Sequence, residues 1–158
     1  MVCVKIFKNL APETEKTFIA EVQSAHQLGD HKNVLKTWAA GQGQIEDSDG
    51  TKSDLTAYIV SELACNGEAF DYVAAAGGLN DKFTRGLFLQ VLDGVEHMHV
   101  KGVAHRDIKL ENIFLDENVI PKVADFGLAK AFAGDNAELL TTKLGTKNYM
   151  APELYSQE

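Results

Sequence analysis

The stretch His105-Arg106-Asp107-Ile108-Lys109-Leu110-Glu111-Asn112 decides how the rest of the chain is read. Asp107 offers a carboxylate, Asn112 a carboxamide further along, and Lys109 lies between them. A second carboxylate follows in Asp125-Phe126-Gly127. Together these groups can hold Mg²⁺ on a triphosphate and orient an attacking hydroxyl. Singly, each has a plainer reading, because Asp-Phe-Gly suits an ordinary turn and His-Arg-Asp a charged surface cluster.

Working outward, Ile113-Phe114-Leu115 and Ile120 to Ala124 are short apolar runs around a turn at Asp116-Glu117-Asn118. They predict a hairpin with Asn112 and Asp125 at its two ends. Upstream, Asn80 caps a long helix that runs to Lys101 and stops at Gly102. Phe83, Leu87, Val91, Val95 and Met98 form its expected buried stripe, with Phe88 and Leu92 widening it. His97 and His99 fall on different faces, which argues against a metal pair. Before it, Glu68 to Ala76 reads as a short helix ended by Gly77-Gly78.

The first residues, Val2 to Phe7, are β-rich on both faces, with Lys5 at the centre. An edge-strand lysine that blocks aggregation is the plain reading of Lys5. Ala11-Pro12-Glu13-Thr14 starts a helix, with Phe18, Val22 and Ala25 at helical spacing, Ile19 beside them and Gly29 as C-cap. Glu21 lies next to that stripe, where a solvated acid is the ordinary outcome. After His31-Lys32-Asn33-Val34, a second strand is expected at Leu35, Thr37 and Trp38, then a surface loop from Gly41 to Asp54, then an apolar strand from Leu55 to Leu63. Ala64-Cys65-Asn66-Gly67 is a small-residue connector. The segment from Leu128 to Asn148 is polar and lacks a sustained period.

Composition narrows the options. Hydrophobic residues make up 45% of the 158 residues, enough for a core. A formal net charge of -8 disfavours nucleic acid and an anionic membrane surface as partners. No apolar run is long enough to span a bilayer, and the first residues lack a signal-peptide pattern. Cys3 and Cys65 are far apart and suggest a reducing compartment, cytoplasm or nucleus.

Taken jointly, Val2-Cys3-Val4-Lys5, Glu21, His105 to Asn112, Asp125-Phe126-Gly127 and Ala151-Pro152-Glu153 resemble the eukaryotic protein kinase family, in that family's order. Lys109 after Asp107, and Gly145-Thr146 before Tyr149, are similar to its serine/threonine type. Gly67-Glu68 and Leu110-Glu111-Asn112 resemble the calmodulin-dependent and AMP-activated kinase group.

The resemblance implies an α+β fold, two-lobed and protein-kinase-like, but incomplete. Residues 1–63 would be a partial N-lobe lacking its first strands, 64–67 the hinge, and 68–158 a partial helical C-lobe with the catalytic loop and activation segment. It implies ATP and Mg²⁺ as cofactors. Asp107 and Lys109 would be catalytic, orienting the hydroxyl and neutralising the transferred phosphoryl group. Lys5, Glu21, Glu62, Ala64 and Glu111 would serve ATP, with Ser61 guarding the pocket behind. Asn112 and Asp125 would hold metal. Arg106 would bind a phosphate on Thr142, or on its neighbour Thr141. His105, Phe126, Gly127 and Glu153 would be structural. The partners implied are a protein substrate with serine or threonine and an upstream activating kinase.

No Gly-x-Gly-x-x-Gly is present, since Gly41-Gln42-Gly43 lies in the wrong place and lacks the third glycine. The family's first strands and its later helices are likewise not found. The expectation is therefore a truncated chain with an intact centre. Two functions follow: a protein serine/threonine kinase, or a non-catalytic fragment that binds nucleotide or another protein.

Overall fold

The β-rich run Val2–Phe7 (β1) pairs antiparallel with Thr56–Glu62 (β3), and β3 pairs with Thr37–Gly43 (β2). The result is a three-stranded sheet in the order β1-β3-β2. The computed structural model describes residues 1–8, 11–132 and 144–155, without the side chains of Glu153 and Tyr155. Thr141, Thr142 and the side chain of Glu153 thus lie outside the described residues.

Helix α1 (Pro12–Leu28) begins with Pro at its first turn and ends at Gly29. Its middle places Phe18 and Val22 on Phe7, Ala57 and Ile59, the small core under the sheet. Phe7 and Phe18 meet edge to face at 5.3 Å between ring centroids. The helix C-terminus leaves that core, and Leu28 enters a second, larger one. One helix therefore belongs to both cores and ties them together.

The larger core collects Val91 and Met98 from α3 (Asp81–Val100), Val103 from β4 (Val103–Ala104) and Ala69 from α2 (Ala69–Ala76). Ile113 of β5 (Ile113–Leu115), Val123 of β6 (Pro121–Val123) and Phe126 complete its centre. β5 and β6 form the expected antiparallel hairpin, and β4 pairs with β7 (Lys130–Ala131). A short helix, α4 (Pro152–Tyr155), follows. Asn80 caps α3 through its side chain, which accepts from the Phe83 N–H at 2.9 Å. Gly94 lets α3 approach closely: a Cβ there would lie 2.6 Å from the Asn33 carbonyl oxygen. No described helix is long and apolar enough to cross a membrane.

Several expectations need correction. The stripe on α3 is narrower than its spacing suggested. Phe83, Phe88 and Leu92 are exposed, and only Val91, Gly94 and Met98 are buried. The described elements cover one side of α3, so apolar spacing alone did not decide burial. Ile19 is exposed for the same reason. The second strand starts at Thr37 rather than Leu35, because Val34 makes a single bridge to Val123 and the Leu35 N–H donates to the Val123 carbonyl instead of joining the sheet. That strand runs on through Gly43, into the segment read as loop. A Cβ at Gly41 would lie 2.9 Å from the Tyr58 hydroxyl, so a larger residue there would push that side chain aside. His97 and His99 are packed histidines. His97 stacks on His31 at 4.5 Å and bonds the Leu28 carbonyl, while His99 meets Phe132 edge to face.

Candidate active site

Between the sheet and the larger core lies a cavity of about 530 Å³. Lys5, Glu21, Glu62, Ala64, Lys109, Glu111, Asn112, Asp125 and Phe126 line it. The topology explains the convergence. β1 carries Lys5 on the face toward α1, and the β5–β6 hairpin sets Asn112 and Asp125 at its open end, where the Ala124 N–H donates to the Asn112 carbonyl at 2.9 Å.

Lys5 Nζ donates to Glu21 Oε2 at 2.8 Å and to Asp125 Oδ1 at 3.0 Å. Burial alone would lower the Lys5 pKa, but the two carboxylates outweigh it and hold the ammonium above its ordinary value. Glu21 is almost fully buried, and that burial pushes its carboxyl up, with Lys5 opposing part of the effect. The plain readings of Lys5 as an edge blocker and Glu21 as a solvated acid therefore give way to an ion pair facing the cavity.

Asp107 is the centre of a second network. Its Oδ1 accepts from Thr146 Oγ1 at 2.8 Å and from the Thr146 backbone N–H at 2.9 Å. Its Oδ2 lies 2.9 Å from Lys109 Nζ and accepts from Asn112 Nδ2 at 3.1 Å. Asn112 Nδ2 also donates to the Asp107 carbonyl at 2.8 Å. Burial opposes ionisation of Asp107, but the bonds from Lys109 and Thr146 win and hold its pKa below the usual range. Both Nδ2 contacts of Asn112 fall on Asp107, so the carboxamide oxygen is the atom that remains to ligate a cation.

The frame behind these groups is buried. His105 Nδ1 accepts from the Asp107 N–H at 3.2 Å, so Nε2 carries the proton and donates to the Ala124 carbonyl at 2.9 Å. Burial holds the His105 pKa below its ordinary value and the ring neutral. Phe126 is buried, with its ring edge to face against His105 at 5.5 Å. Arg106 and Asp125 both adopt left-handed backbone, φ 67° and 64°. Such conformations cost on the order of 1–3 kcal/mol each and persist where surrounding contacts fix them. Arg106 Nε donates to the Leu128 carbonyl at 2.7 Å, which fixes the first. Gly145 passes so close that a Cβ would lie 2.6 Å from the Arg106 carbonyl oxygen. A Cβ on Gly127 would lie 2.7 Å from Thr17 Cγ2.

Glu62 anchors the connector. It receives the Lys36 N–H at 2.8 Å, and Lys122 Nζ lies 3.2 Å from its carboxylate and 3.9 Å from Asp116. Asn66 Nδ2 donates to the Asp116 carbonyl at 2.6 Å. Tyr149 reaches Glu111 at 3.4 Å, so Glu111 sits at the cavity and is also held from the far segment.

Two contributors were missed by sequence reasoning. Thr146 was read only as part of a pattern before Tyr149, and the only signal for its role was its place beside Gly145. Lys122 gave no signal at all. Among the described residues no cluster of His, Cys, Asp and Glu holds three or more potential ligands. The donor set fits Mg²⁺ nonetheless. Asp125 and Asn112 are hard oxygen donors on one cavity wall, and Mg²⁺ takes few protein ligands, with water and phosphate filling its other positions.

Residues 1–158 match the protein kinase domain family. CBL-interacting serine/threonine-protein kinase 9 of Arabidopsis thaliana is 38% identical over 156 residues, 98% of this chain and 32% of the relative. CBL-interacting serine/threonine-protein kinase 7 of the same plant is 37% identical over 160 aligned positions, 99% of this chain and 35% of the relative. CBL-interacting serine/threonine-protein kinase 24, also from that plant, is 48% identical over 99 residues, 63% of this chain and 22% of the relative. The chain thus spans about a third of the length of the curated relatives it matches end to end.

Proposed function

The chain belongs to the protein kinase family, with serine/threonine kinases as its relatives, and on that footing we propose that it binds Mg·ATP and transfers the γ-phosphoryl group to a serine or threonine of a protein. The observation that carries this reading is the convergence of two separate hydrogen-bonded networks on one cavity. One is Lys5 with Glu21 and Asp125; the other is Asp107 with Lys109, Thr146 and Asn112, and it reaches the cavity through Lys109 and Asn112.

Each group has a task in that reaction. Lys5, kept charged and aimed by two carboxylates, holds the α- and β-phosphates. Asp107 stays ionised and accepts the hydrogen bond of the attacking hydroxyl, which aligns it with the γ-phosphorus. Lys109 neutralises charge on the group in transit. The Asn112 oxygen and the Asp125 carboxylate would hold Mg²⁺, which when bound offsets charge on the β- and γ-phosphates. Backbone groups of Glu62 and Ala64 would bond the adenine, and Glu111 would lie toward the nucleotide. Most of the rate gain comes from such positioning and charge stabilisation, with little covalent work by the protein.

Arg106 links this centre to regulation. Its Nε is used by Leu128, and its terminal N–H groups make no hydrogen bond among the described residues. A phosphate on Thr142, added by an upstream kinase, would pair with them and order the segment. Thr141 is the near alternative.

The test is transfer of labelled γ-phosphate from Mg·ATP to a generic serine/threonine substrate, with Asp125→Ala as control. Signal from the parent chain and none from the variant is expected. Equal signal from both sinks the enzymatic reading. Nucleotide binding with no transfer by either supports the non-catalytic alternative.

A further inference from the structure

Two imidazoles meet where α1 gives way to the sheet. His31, in the turn that follows α1, lies flat on His97 of α3, with ring centroids 4.5 Å apart and planes 14° apart. His97 also bonds the carbonyl of Leu28, the last residue of α1, at 2.9 Å. The pair therefore fastens both the helix end and the turn to α3. Rings stacked face to face carry their nitrogens in parallel planes, which do not converge on one cation. The chemistry left to them is uptake of a proton.

The turn depends on which nitrogen of His31 is bare. Nδ1 accepts from the Asn33 backbone N–H at 3.2 Å, so the neutral ring carries its proton on Nε2. A further proton enters at Nδ1, where it meets that N–H donor to donor, and the bond is lost. Asn33 is fully buried, and its Oδ1 has no partner among the described residues. An unmet buried acceptor is costly, so the turn is closed against a cost. Two bonds of Asn33 offset it: Nδ2 to the Pro121 carbonyl at 2.9 Å, and the N–H to His31.

The charges around His31 do not invite a proton. Burial first, and then His97 on its face, holds the His31 pKa below its ordinary value. Asp93 of α3 opposes that shift, but its Oδ2 already holds Lys32 Nζ at 2.8 Å. Lys32 from the same turn and Lys122 from β6 add two cations.

We propose that the His31–His97 stack is a proton-operated latch: neutral, it fastens the end of α1 and the following turn to α3, and one proton taken up on His31 opens it while the rest of the fold stays closed. Gln27 Nε2 still donates to the Lys101 carbonyl at 2.7 Å, so α1 loosens without leaving. Opening is felt at the cavity, because the same helix carries Glu21, the partner of Lys5. The latch rests on the packing of α1 and its turn against α3, and stands whether or not the cavity takes a nucleotide.

Amide hydrogen exchange resolved by NMR reads the latch directly. Protection is measured on the parent chain from pH 7.5 to 5.0, after division by the intrinsic exchange rate at each pH. An opening linked to one proton grows by up to about tenfold per pH unit below the ordinary histidine pKa. Protection of the Asn33 amide and of the last-turn amides of α1 should fall in that way, while Ile59 in the central strand β3 keeps its protection. His31→Phe keeps a flat ring on His97 and takes no proton, so its α1 amides should hold one level of protection throughout. His97→Gln keeps a donor for the Leu28 carbonyl and removes the second ring. It should raise the titration midpoint of His31 and make the fall shallower. The proposal is overturned by flat protection in the parent, by equal loss at Ile59 and Asn33, or by a fall as steep as the parent's in either variant.

Discussion

Thr146 donates twice to one oxygen of Asp107, through its hydroxyl at 2.8 Å and its backbone N–H at 2.9 Å. Lys109 in turn donates to the Thr146 hydroxyl at 2.8 Å, so that hydroxyl relays between the cation and the carboxylate. Thr146→Val removes the relay and keeps the shape. A hydrogen bond to a charged group is worth about 1.5–3 kcal/mol, which corresponds to roughly tenfold to a hundredfold. Steady-state kinetics should show kcat falling by that range, with the KM for ATP unchanged. Thr146→Ser should retain most of the activity.

Lys5 and Glu21 should be tested as a pair. Lys5→Met leaves the buried Glu21 carboxylate without its cation, and breaking a fully buried pair costs about 3–5 kcal/mol. Lys5 is only half-buried, so the expected loss is smaller, about 1–2 kcal/mol by urea titration. Adding Glu21→Gln should restore part of that stability without restoring nucleotide binding. A double variant as unstable as the single one would show that the pair is not coupled.

The centre of the site was legible because its chemistry is written in contiguous residues. His105 to Asn112 and Asp125 to Gly127 are local motifs, and the hairpin between them follows from two apolar runs and a turn. The contacts that join distant segments were not legible. The Lys5–Asp125 bond spans 120 positions and the Thr146–Asp107 bonds 39. Nothing in the local pattern around Thr146 indicates which carboxylate it will meet. On α3, spacing identified the apolar residues but not which side a neighbour would cover. Phe88 and Leu92 share the character of Val91 and Met98, yet stand in solvent.

Acid should loosen the frame. The folded-state pKa of His105 lies below the ordinary 6.5, so the unfolded chain takes up a proton first as pH falls. The stability contributed by the neutral ring is whole above pH 6.5 and is lost as pH falls from there toward the folded-state value. His31 is shifted the same way, by burial and then by His97 stacked on it. Unfolding free energy measured from pH 7.5 downward should decline in this window, and His105→Gln should flatten the greater part of the decline. A variant profile parallel to the parent's would assign the effect to His31.

Close approach of α3 to the segment at Asn33 gives a packing test. Gly94→Ala forces a methyl to within 2.6 Å of a backbone oxygen. Overpacking of this kind costs about 1–3 kcal/mol, and in a chain of this size each kcal/mol lowers Tm by roughly 2–4 °C. Differential scanning calorimetry should show the drop. Gly86→Ala, on the same helix with open space around it, should leave Tm the same or higher.

Lys122 bears on how the two sides of the cavity are held together. Its side chain is 11% exposed, and its ammonium lies between Glu62 at the end of the sheet and Asp116 in the hairpin turn, while Asn66 is tied to that same turn. The connector is thus braced like a leaf spring. The upper sheet cannot swing away from the lower helices without first stretching these contacts, so the cavity mouth widens against a restoring force. On the nucleotide-binding reading proposed above, that restoring force would lengthen the stay of spent nucleotide through a lysine outside the cavity lining, and loosening the brace would quicken its exchange.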